Sequence, residues 1–301
     1  MKLRDLIETS PGQAMGAFRV MAHERRLSQA GRQFTRLDLE DYSGRVTAYA
    51  WEHQDALVNL QQHDVIEGLY EFRSFDARIV ADLLCPTGIG PYHGPTSAAA
   101  LIPRSACPAV AHTALEELVS IGEGLIDPSL RAFVDSVLGD PVLWPAFVAS
   151  RASKHHHHAC PGGLLIHSVD VANRCRDQAR GLTPAETELI MVAGLFHDLG
   201  KIRTVGSCGE RPTLGKWVHH EALTLELLAP HLPALDRVWP EGGAAMRHCL
   251  SWYSVKPSGF ARFVGADIVR GADGCDVAIN RGQRLSDSRN GNASEQEVQA
   301  F

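Results

Sequence analysis

The sequence predicts two domains, a small all-β barrel followed by an all-α helical bundle. The chain has 301 residues, about twice the ~150 residues expected for one domain. Strand-length runs separated by turn signals fill the first part, and helical patterns fill the second. With 45% hydrophobic and 21% charged residues, the composition is globular, which argues against a mainly disordered or coiled-coil chain.

Composition also limits the compartment and the partners. No apolar run is long enough to span a bilayer and no signal peptide begins the chain, so we expect a cytoplasmic protein without a membrane partner. Seven scattered cysteines without a C-x-x-C pair predict neither a disulfide framework nor a zinc-thiolate site. Residues 1–36 carry seven Lys or Arg against three Asp or Glu, although the chain is acidic. This basic segment fits either a polyanion-binding surface or an ordinary solvated surface.

Five short runs rich in β-branched or aromatic residues predict the barrel. They are Ala17–Met21, Phe34–Glu40, Val46–Trp51, Val65–Phe72 and Arg78–Leu84. In the third run, alternation puts small apolar residues on one face and Thr47, Tyr49 and Trp51 on the other. One face of this strand is therefore expected to pack, while the other offers aromatic rings.

Beyond the barrel the pattern becomes helical. We expect a domain at residues 1–85, a Pro- and Gly-rich linker at 86–108, a helical domain at 109–280 and a disordered tail at 281–301. Helices are predicted at Thr113–Glu123, Pro128–Leu138, Pro141–Ser150, Gly163–Arg180, Pro184–His197, Trp217–Leu228, Gly242–Trp252 and Gly259–Asn280. The fifth begins with a capping box from Thr183 to Glu186, and Gly200 is expected to stop it.

A histidine and an aspartate, His197 and Asp198, follow the apolar turns of that fifth helix. Buried polar groups need partners, and a hydrogen-bonded core histidine beside a capping aspartate is one interpretation. The other is a metal site, because His167 lies on a second predicted helix and Asp273 and Asp276 lie on the last one. Imidazole and carboxylate ligands from separate helices suit Mn²⁺, Fe²⁺, Zn²⁺ or Mg²⁺.

The same residues resemble a known family. His167, then the run HDLGK at 197–201, then Asp273 resemble the H…HD…D signature of HD-domain metal-dependent phosphohydrolases. Residues 154–171 resemble the block before the first metal histidine of YhaM-type 3′-5′ exoribonucleases, and a similar block occurs in HD-containing conjugative relaxases of the MobH group. Residues 25–84 are similar to the OB-fold domain of YhaM-type enzymes. The resemblance implies an OB-type barrel followed by an HD-domain helical bundle.

The resemblance also implies roles for individual residues. The implied metal ligands are His167, His197, Asp198 (bridging two ions) and Asp273, with His220 and His248 at a second ion. Lys201 would contact the scissile phosphate and His158 would line the pocket, so Asp198, Lys201 and His158 are the expected catalytic residues. Manganese is the first expectation for the metal. Many members carry a His-His pair after the helix with His248, where this chain has Trp252-Tyr253, which puts the second metal site in doubt.

These roles predict a metal-dependent phosphodiesterase that acts on single-stranded nucleic acid, first of all a 3′-5′ exoribonuclease. In the barrel, aromatic rings would stack on the bases of a single strand of RNA or DNA, and arginines would neutralise its phosphates. The candidates are Arg25, Arg32, Arg36, Tyr49 and Trp51, with Tyr70 and Phe72 as further rings. The alternatives are an HD-domain nucleotide phosphohydrolase, a conjugation-related HD protein acting on DNA, and a catalytically degenerate nucleic-acid-binding accessory protein. Assembly into a homo-oligomer stays open.

Overall fold

The computed structural model describes residues 2–8, 12–76, 78–90, 94, 96–154, 158–207, 212–251 and 263–296, with only the backbone for residues 281–296. The chain divides into two compact units. The first comprises residues 1–126 and 134–145, and the second comprises residues 127–133 and 146–301. In the described part of the chain, no single helix is long and apolar enough to cross a membrane.

A closed five-stranded barrel forms most of the first unit, which confirms the predicted architecture. Its strands are β1 (Gln13–Leu27), β2 (Gln33–Glu40), β3 (Arg45–Ala50), β4 (Val65–Phe75) and β5 (Arg78–Gly90). They are ordered β1-β2-β3-β5-β4, and β4 pairs with β1 to close the barrel. Only the β3–β5 pair is parallel among these neighbours. The arrangement is that of an OB-like barrel.

The interior of the barrel follows the predicted alternation. Val46, Ala48 and Ala50 of β3 are buried in one core, while the residues between them are partly exposed. Tyr70 and Phe72 also lie in this core, so the expectation that they offer rings to a nucleic acid is wrong. The Tyr70 hydroxyl donates to the Ile66 carbonyl at 3.0 Å, so this buried hydroxyl has a hydrogen-bond partner.

Two parts of the first unit differ from the predicted pattern. A short helix, α1 (Leu3–Glu8), precedes the barrel, and its Leu3 and Leu6 side chains join the barrel core. In the segment predicted as a linker, β5 continues to Gly90 and two 3₁₀ helices follow at Ala98–Leu101 and Arg104–Ala106, with a third directly after the segment at Ala109–Ala111. Small side chains let the first of these pack fully, since all four of its residues are buried. Next comes α2 (His112–Gly124), which belongs to the same unit.

The remaining helices are α3 (Pro128–Gly139), α4 (Leu143–Ala149), α5 (Gly163–Gln178), α6 (Pro184–Phe196), α7 (Lys201–Thr204), α8 (His220–Leu228), α9 (Leu232–Val238), α10 (Pro240–Ser251) and α11 (Gly265–Gln296). Helices α7 and α9 were not predicted. The backbone of α11 includes residues 281–296 of the predicted tail, because a helix already begun extends without a new nucleation cost. Residues 297–301 lie outside the described residues.

Helices α5, α6 and α11 meet at the centre of the second unit. Every residue of α6 from Leu189 to Phe196 is buried, and the Phe196 ring contacts the rings of Phe133 and Phe147. The predicted capping box is present: the Glu186 amide donates to the Thr183 hydroxyl, and the Glu186 carboxylate accepts from the Thr183 amide. The C-terminal end of α6 therefore delivers His197 and Asp198 into a packed, apolar interior.

Candidate metal centre

His167 of α5 is fully buried between three carboxylates. Its Nδ1 lies 2.8 Å from Asp276 Oδ2, and its Nε2 lies 3.2 Å from Asp198 Oδ2 and 3.3 Å from Asp273 Oδ1. An ionised carboxylate only accepts hydrogen bonds, so Nδ1 carries a proton. In the neutral imidazole, the lone pair is then on Nε2 and faces Asp198 and Asp273.

His197, in the turn after α6, also directs its Nε2 towards the carboxylates, but here a backbone carbonyl and not a carboxylate lies against Nδ1. Its Nδ1 lies 2.7 Å from the Gly194 carbonyl, which can only accept, so the neutral ring again has its lone pair on Nε2. That Nε2 is buried and makes no hydrogen bond in the structure. It lies 3.4 Å from Asp198 Oδ2 and 3.7 Å from Asp273 Oδ1. A buried ring nitrogen that makes no hydrogen bond and lies beside two carboxylates is well placed to act as a metal ligand.

One donor atom from each of His167, His197, Asp198 and Asp273 lies within 4.8 Å of all the others. The four residues come from α5, the turn after α6, and α11. Two imidazole nitrogens and two carboxylate oxygens form a donor set for a borderline or hard divalent cation. The structure therefore assembles, from three separate elements, a group able to hold such an ion.

The charges of the group favour a cation. Burial disfavours imidazolium, yet the surrounding carboxylates raise the pKa of His167 to about 10 and that of His197 to about 9. Burial likewise opposes ionisation of Asp198, but His197 and Lys201 hold the pKa of its carboxyl well below the ordinary value. The Lys201 ammonium contacts Asp198 Oδ2 directly. Negative charge concentrated in this way attracts protons or, in their place, a divalent ion.

A cavity of about 220 Å³ opens beside the four donors. It is lined by His197, Asp198, Lys201, His220, Glu221, Cys249, Leu250, Ala266, Val269, Arg270, Asp273 and Val277. His220, the first residue of α8, places its Nε2 2.9 Å from Asp198 Oδ1, the carboxylate oxygen that faces away from His167. The positively charged side chains of Lys201 and Arg270 thus line the same small cavity as the carboxylates.

Residues 164–241 match the HD domain. This match indicates a metal-dependent phosphohydrolase and covers about a quarter of the chain. The matched range includes His167, His197, Asp198, Lys201 and His220, whereas Asp273 lies beyond it on α11. No curated protein matches the chain.

Across the residues that the structure describes, two of the expected HD-domain residues belong neither to the four-donor group nor to the cavity lining. His248 is on α10 and, among the described residues, belongs neither to this group nor to the cavity lining, although its neighbour Cys249 does line the cavity. His158 likewise does not line the cavity; its Nε2 lies 3.3 Å from Asp276 Oδ2. The roles expected for both residues stay predictions, and Trp252-Tyr253 lies outside the described residues.

Asp276, which the sequence analysis named beside Asp273 as a candidate for the metal site, lies behind the metal ligands. Its side chain is almost fully buried and accepts from the Nδ1 of His167. Arg174 lies 3.7 Å from its other oxygen. Such a carboxylate fixes the tautomer and the ring orientation of a metal-binding histidine. The sequence does contain a signal for this role. Arg270, Asp273 and Asp276 are spaced three residues apart, which puts all three on one side of α11.

Gly200 brings α8 to the HD-domain site. We expected this glycine to stop α6, but the helix ends at Phe196 and Gly200 has φ −59°, an ordinary right-handed conformation. A Cβ at this position would lie 2.0 Å from the His220 carbonyl oxygen. The Gly200 amide also donates to the Thr224 hydroxyl of α8 at 2.8 Å. The glycine is therefore needed for close approach between the turn and α8.

A separate candidate surface lies on the barrel. The Phe34 ring centroid is 4.6 Å from that of Trp51 and 6.0 Å from that of Tyr49. The Arg32 guanidinium lies 5.7 Å from the Trp51 ring centroid, and Arg36 is the cross-strand partner of Tyr49. These five side chains, here called the aromatic face, combine stacking surface with positive charge. Phe34, which the sequence analysis did not select, lies at its centre.

Arg25 does not join the aromatic face. Directly opposed residues in antiparallel strands point to the same side, and Arg25 opposes the buried Thr35, whereas Arg26 opposes Phe34. Two arginines of the face already have acidic neighbours, since Arg32 pairs with Glu52 at 3.5 Å and Arg36 pairs with Asp38 at 2.8 Å. Exposed ion pairs of this kind are weak, so a phosphate chain can compete for these arginines.

Proposed function

We propose that this protein is a metal-dependent phosphodiesterase that hydrolyses single-stranded nucleic acid, specifically as a 3′-5′ exoribonuclease. The main support is that donor atoms of His167, His197, Asp198 and Asp273 converge beside a cavity lined by two positively charged side chains. The resemblance of the motif blocks to YhaM-type exoribonucleases supports the finer assignment.

His167, His197, Asp198 and Asp273 would hold the divalent ion, and the buried, hydrogen-bond-free Nε2 of His197 supports that fit. When bound, a divalent cation supplies Lewis-acid polarisation of the phosphoryl oxygen and a nucleophilic hydroxide near neutral pH. Asp276 keeps the Nδ1 proton of His167 in place, and the Gly194 carbonyl does the same for His197. Both rings are thus preorganised to present Nε2.

The remaining polar residues of the cavity act on the substrate in this proposal. Lys201 and Arg270 both line it, so a phosphodiester that enters meets an ammonium and a guanidinium. Both groups can donate charge-assisted hydrogen bonds to phosphoryl oxygens, and these strengthen as negative charge develops. Lys201 contacts Asp198 in the present structure, which holds the ammonium at the reacting end of the cavity.

The size of the cavity supports a chain-like substrate. About 220 Å³ is less than the roughly 300–1,000 Å³ of pockets that enclose a drug-sized ligand. Such a cavity takes the reacting phosphate and leaves most of the substrate outside it. The aromatic face of the barrel, with Phe34, Tyr49 and Trp51 beside arginines, suits the bases and phosphates of a single strand.

A nuclease assay on 5′-labelled RNA and DNA tests the proposal. The purified protein is incubated with each substrate in Mn²⁺ and in EDTA, beside the Lys201→Ala variant. We expect stepwise shortening of single-stranded RNA from its 3′ end, only with metal and strongly reduced in the variant. Shortening of DNA alone would instead favour a conjugation-related enzyme, and release of phosphate from mononucleotides alone would favour a nucleotide phosphohydrolase. Strand binding without cleavage in any metal would identify an accessory protein.

A further inference from the structure

We propose that Trp217 and Lys216 form a nucleotide subsite next to the metal centre. In this subsite the Trp217 indole stacks on the base beside the scissile phosphate, and the Lys216 ammonium binds the neighbouring phosphate. The inference rests on the proposed function, because it specifies where a nucleic-acid chain lies once its phosphodiester occupies the cavity. It adds a binding site that the motifs do not include, although both residues lie within the matched range 164–241.

Trp217 is 83% exposed. The other tryptophans in the described residues are fully or partly buried; they are Trp51, Trp144 and Trp239. Single exposed apolar residues are common on protein surfaces, so exposure alone assigns nothing. What distinguishes Trp217 is its position beside the metal centre and the firm support of its backbone.

The segment that carries Trp217 is closely packed. It is a 3₁₀ helix, Thr213–Lys216, whose Gly215 lies against Thr204 of α7 so tightly that a Cβ would come within 2.5 Å of the Thr204 carbonyl oxygen. The Trp217 amide donates to the Leu214 carbonyl at 3.0 Å. The indole is therefore presented to solvent from an anchored backbone, as a stacking platform requires, because a rigid platform loses little entropy on binding.

Trp217 and the metal centre are linked through one residue. A second cavity of about 110 Å³ is lined by Thr204, Gly215, Lys216, Trp217, Val218, His219 and His220. His220 lines this cavity and the metal-site cavity as well, and its Nε2 is 2.9 Å from Asp198 Oδ1. A chain whose phosphate enters the first cavity thus has the second cavity beside it for the next unit.

The chemistry of the second cavity suits a nucleotide. No residue in its described lining is acidic, while Lys216 is exposed and contributes a positive charge. Indole stacking accepts every base because each base has a π face, and an ammonium binds phosphate without reading sequence. The subsite therefore predicts little base preference but a requirement for a base at one position.

The test measures binding of labelled hexanucleotides to the full-length, manganese-loaded protein, with phosphorothioate linkages to prevent cleavage. One oligonucleotide is intact, and three carry a single abasic nucleotide at successive positions from the 3′ end. For the wild type, we expect one abasic position to raise the Kd about 10- to 100-fold. Trp217→Ala should weaken the intact hexamer by a similar factor and lose the penalty at that position, whereas Trp217→Phe should retain most of both.

Leu214→Ala is the matched control, because Leu214 is a 40% exposed apolar residue of the same 3₁₀ helix. It should bind the intact hexamer as the wild type does, and metal content and melting temperature should match in all variants. A wild type that binds the hexamer with no penalty at any abasic position, or a Trp217→Ala variant with unchanged Kd, overturns the subsite while the proposed function stands. A wild type that neither binds nor cleaves oligonucleotides overturns both.

Discussion

The two ring nitrogens of His167 have different tasks. Nε2 faces Asp198 and Asp273 at the metal group, and Nδ1 donates to Asp276 behind it. Asp276 is in turn contacted by His158 and Arg174. A ligand oriented from behind in this way binds metal more tightly, because the ring needs no reorientation and Nε2 is the nitrogen that is freed when the ring loses a proton.

Replacing Asp276 therefore tests the positioning role. Asp276→Asn keeps an oxygen that can accept from Nδ1 but removes the charge, and Asp276→Ala removes both. We expect metal affinity to fall about 10- to 100-fold in the alanine variant and less in the asparagine variant, as measured by metal titration. Asp177→Asn, an exposed carboxylate on α5, should behave as wild type. Equal affinities in all four proteins would make Asp276 a structural residue only.

Metal binding should also depend on pH. The raised pKa values of about 10 for His167 and about 9 for His197 mean that both rings are imidazolium ions at neutral pH. A metal must therefore displace one proton from the Nε2 of each ring. Apparent affinity should therefore rise with pH, by about tenfold per pH unit for each displaced proton, until pH approaches 9. Calorimetry in buffers with different ionisation enthalpies measures the protons released. Histidines with an ordinary pKa near 6.5 would give a constant affinity above pH 8.

Several residues of the site were predictable and others were not. The sequence selected His167, His197, Asp198 and Asp273, because their order and spacing resemble a known signature. It named Asp276 beside Asp273 but could not give it a separate role, and it did not select Arg270, since one-turn spacing only becomes meaningful when α11 is known to pack on α5. For the same reason it chose Arg25 rather than Arg26, because strand register decides which arginine lies beside Phe34.

At the scale of elements, the site depends on how closely α8 approaches the turn that carries His197 and Asp198. Thr224 accepts from the Gly200 amide and donates to the His197 carbonyl at 3.1 Å, which fixes the two segments together. Gly200 leaves the space that this contact needs. The position of His220 against Asp198 is thus a consequence of helix packing.

Adding one methyl group should disturb this packing. In Gly200→Ala, the new Cβ would overlap the His220 carbonyl oxygen, so α8 must move. We expect a loss of about 1–3 kcal/mol in unfolding free energy, with lower metal affinity or activity because His220 is displaced from Asp198. Thermal melts and a phosphodiesterase assay measure the two effects. Gly274→Ala on α11 meets no atom within 4 Å and should be at least as stable as wild type.

The elements that the sequence missed are short or lack a capping signal. Helix α7 has four residues and α9 has seven, with a proline near its start. Helix α8 begins at His220 and not at Trp217, because residues 213–216 form a 3₁₀ turn and His219 is extended. By contrast, α6 began as predicted, since a capping box and a proline define its first turn locally.

The whole molecule joins two kinds of surface on one chain. The barrel presents aromatic rings beside arginines, and the helical unit holds the HD domain with its metal group. Under the proposed function, the covalent connection between a strand-binding unit and a cleaving unit would raise the effective concentration of the strand near the reacting residues. Mutations in the barrel should then affect strand binding more than metal content.

Trp51→Ala tests this division of tasks. If a base stacks on the aromatic face, the variant should lose about 1–3 kcal/mol of single-strand binding energy, with metal content unchanged. Affinity should also fall with rising salt, because Arg32 and Arg36 displace counterions from the strand. If Trp51 acts only in packing, the melting temperature should fall with no selective loss of binding. Phe75→Ala, which removes a 54% exposed ring elsewhere on the barrel, is the control.

The metal content of the purified protein tests the central claim most directly. Elemental analysis after anaerobic purification should find at least one divalent transition-metal ion per chain in the wild type and little in Asp198→Ala. The reason is that Asp198 lies against His167, His197, His220 and Lys201 at the centre of the site. Asp177→Ala should keep the full content. No metal in the wild type, or equal metal in all three proteins, would contradict the assignment of the four-donor group as a metal centre.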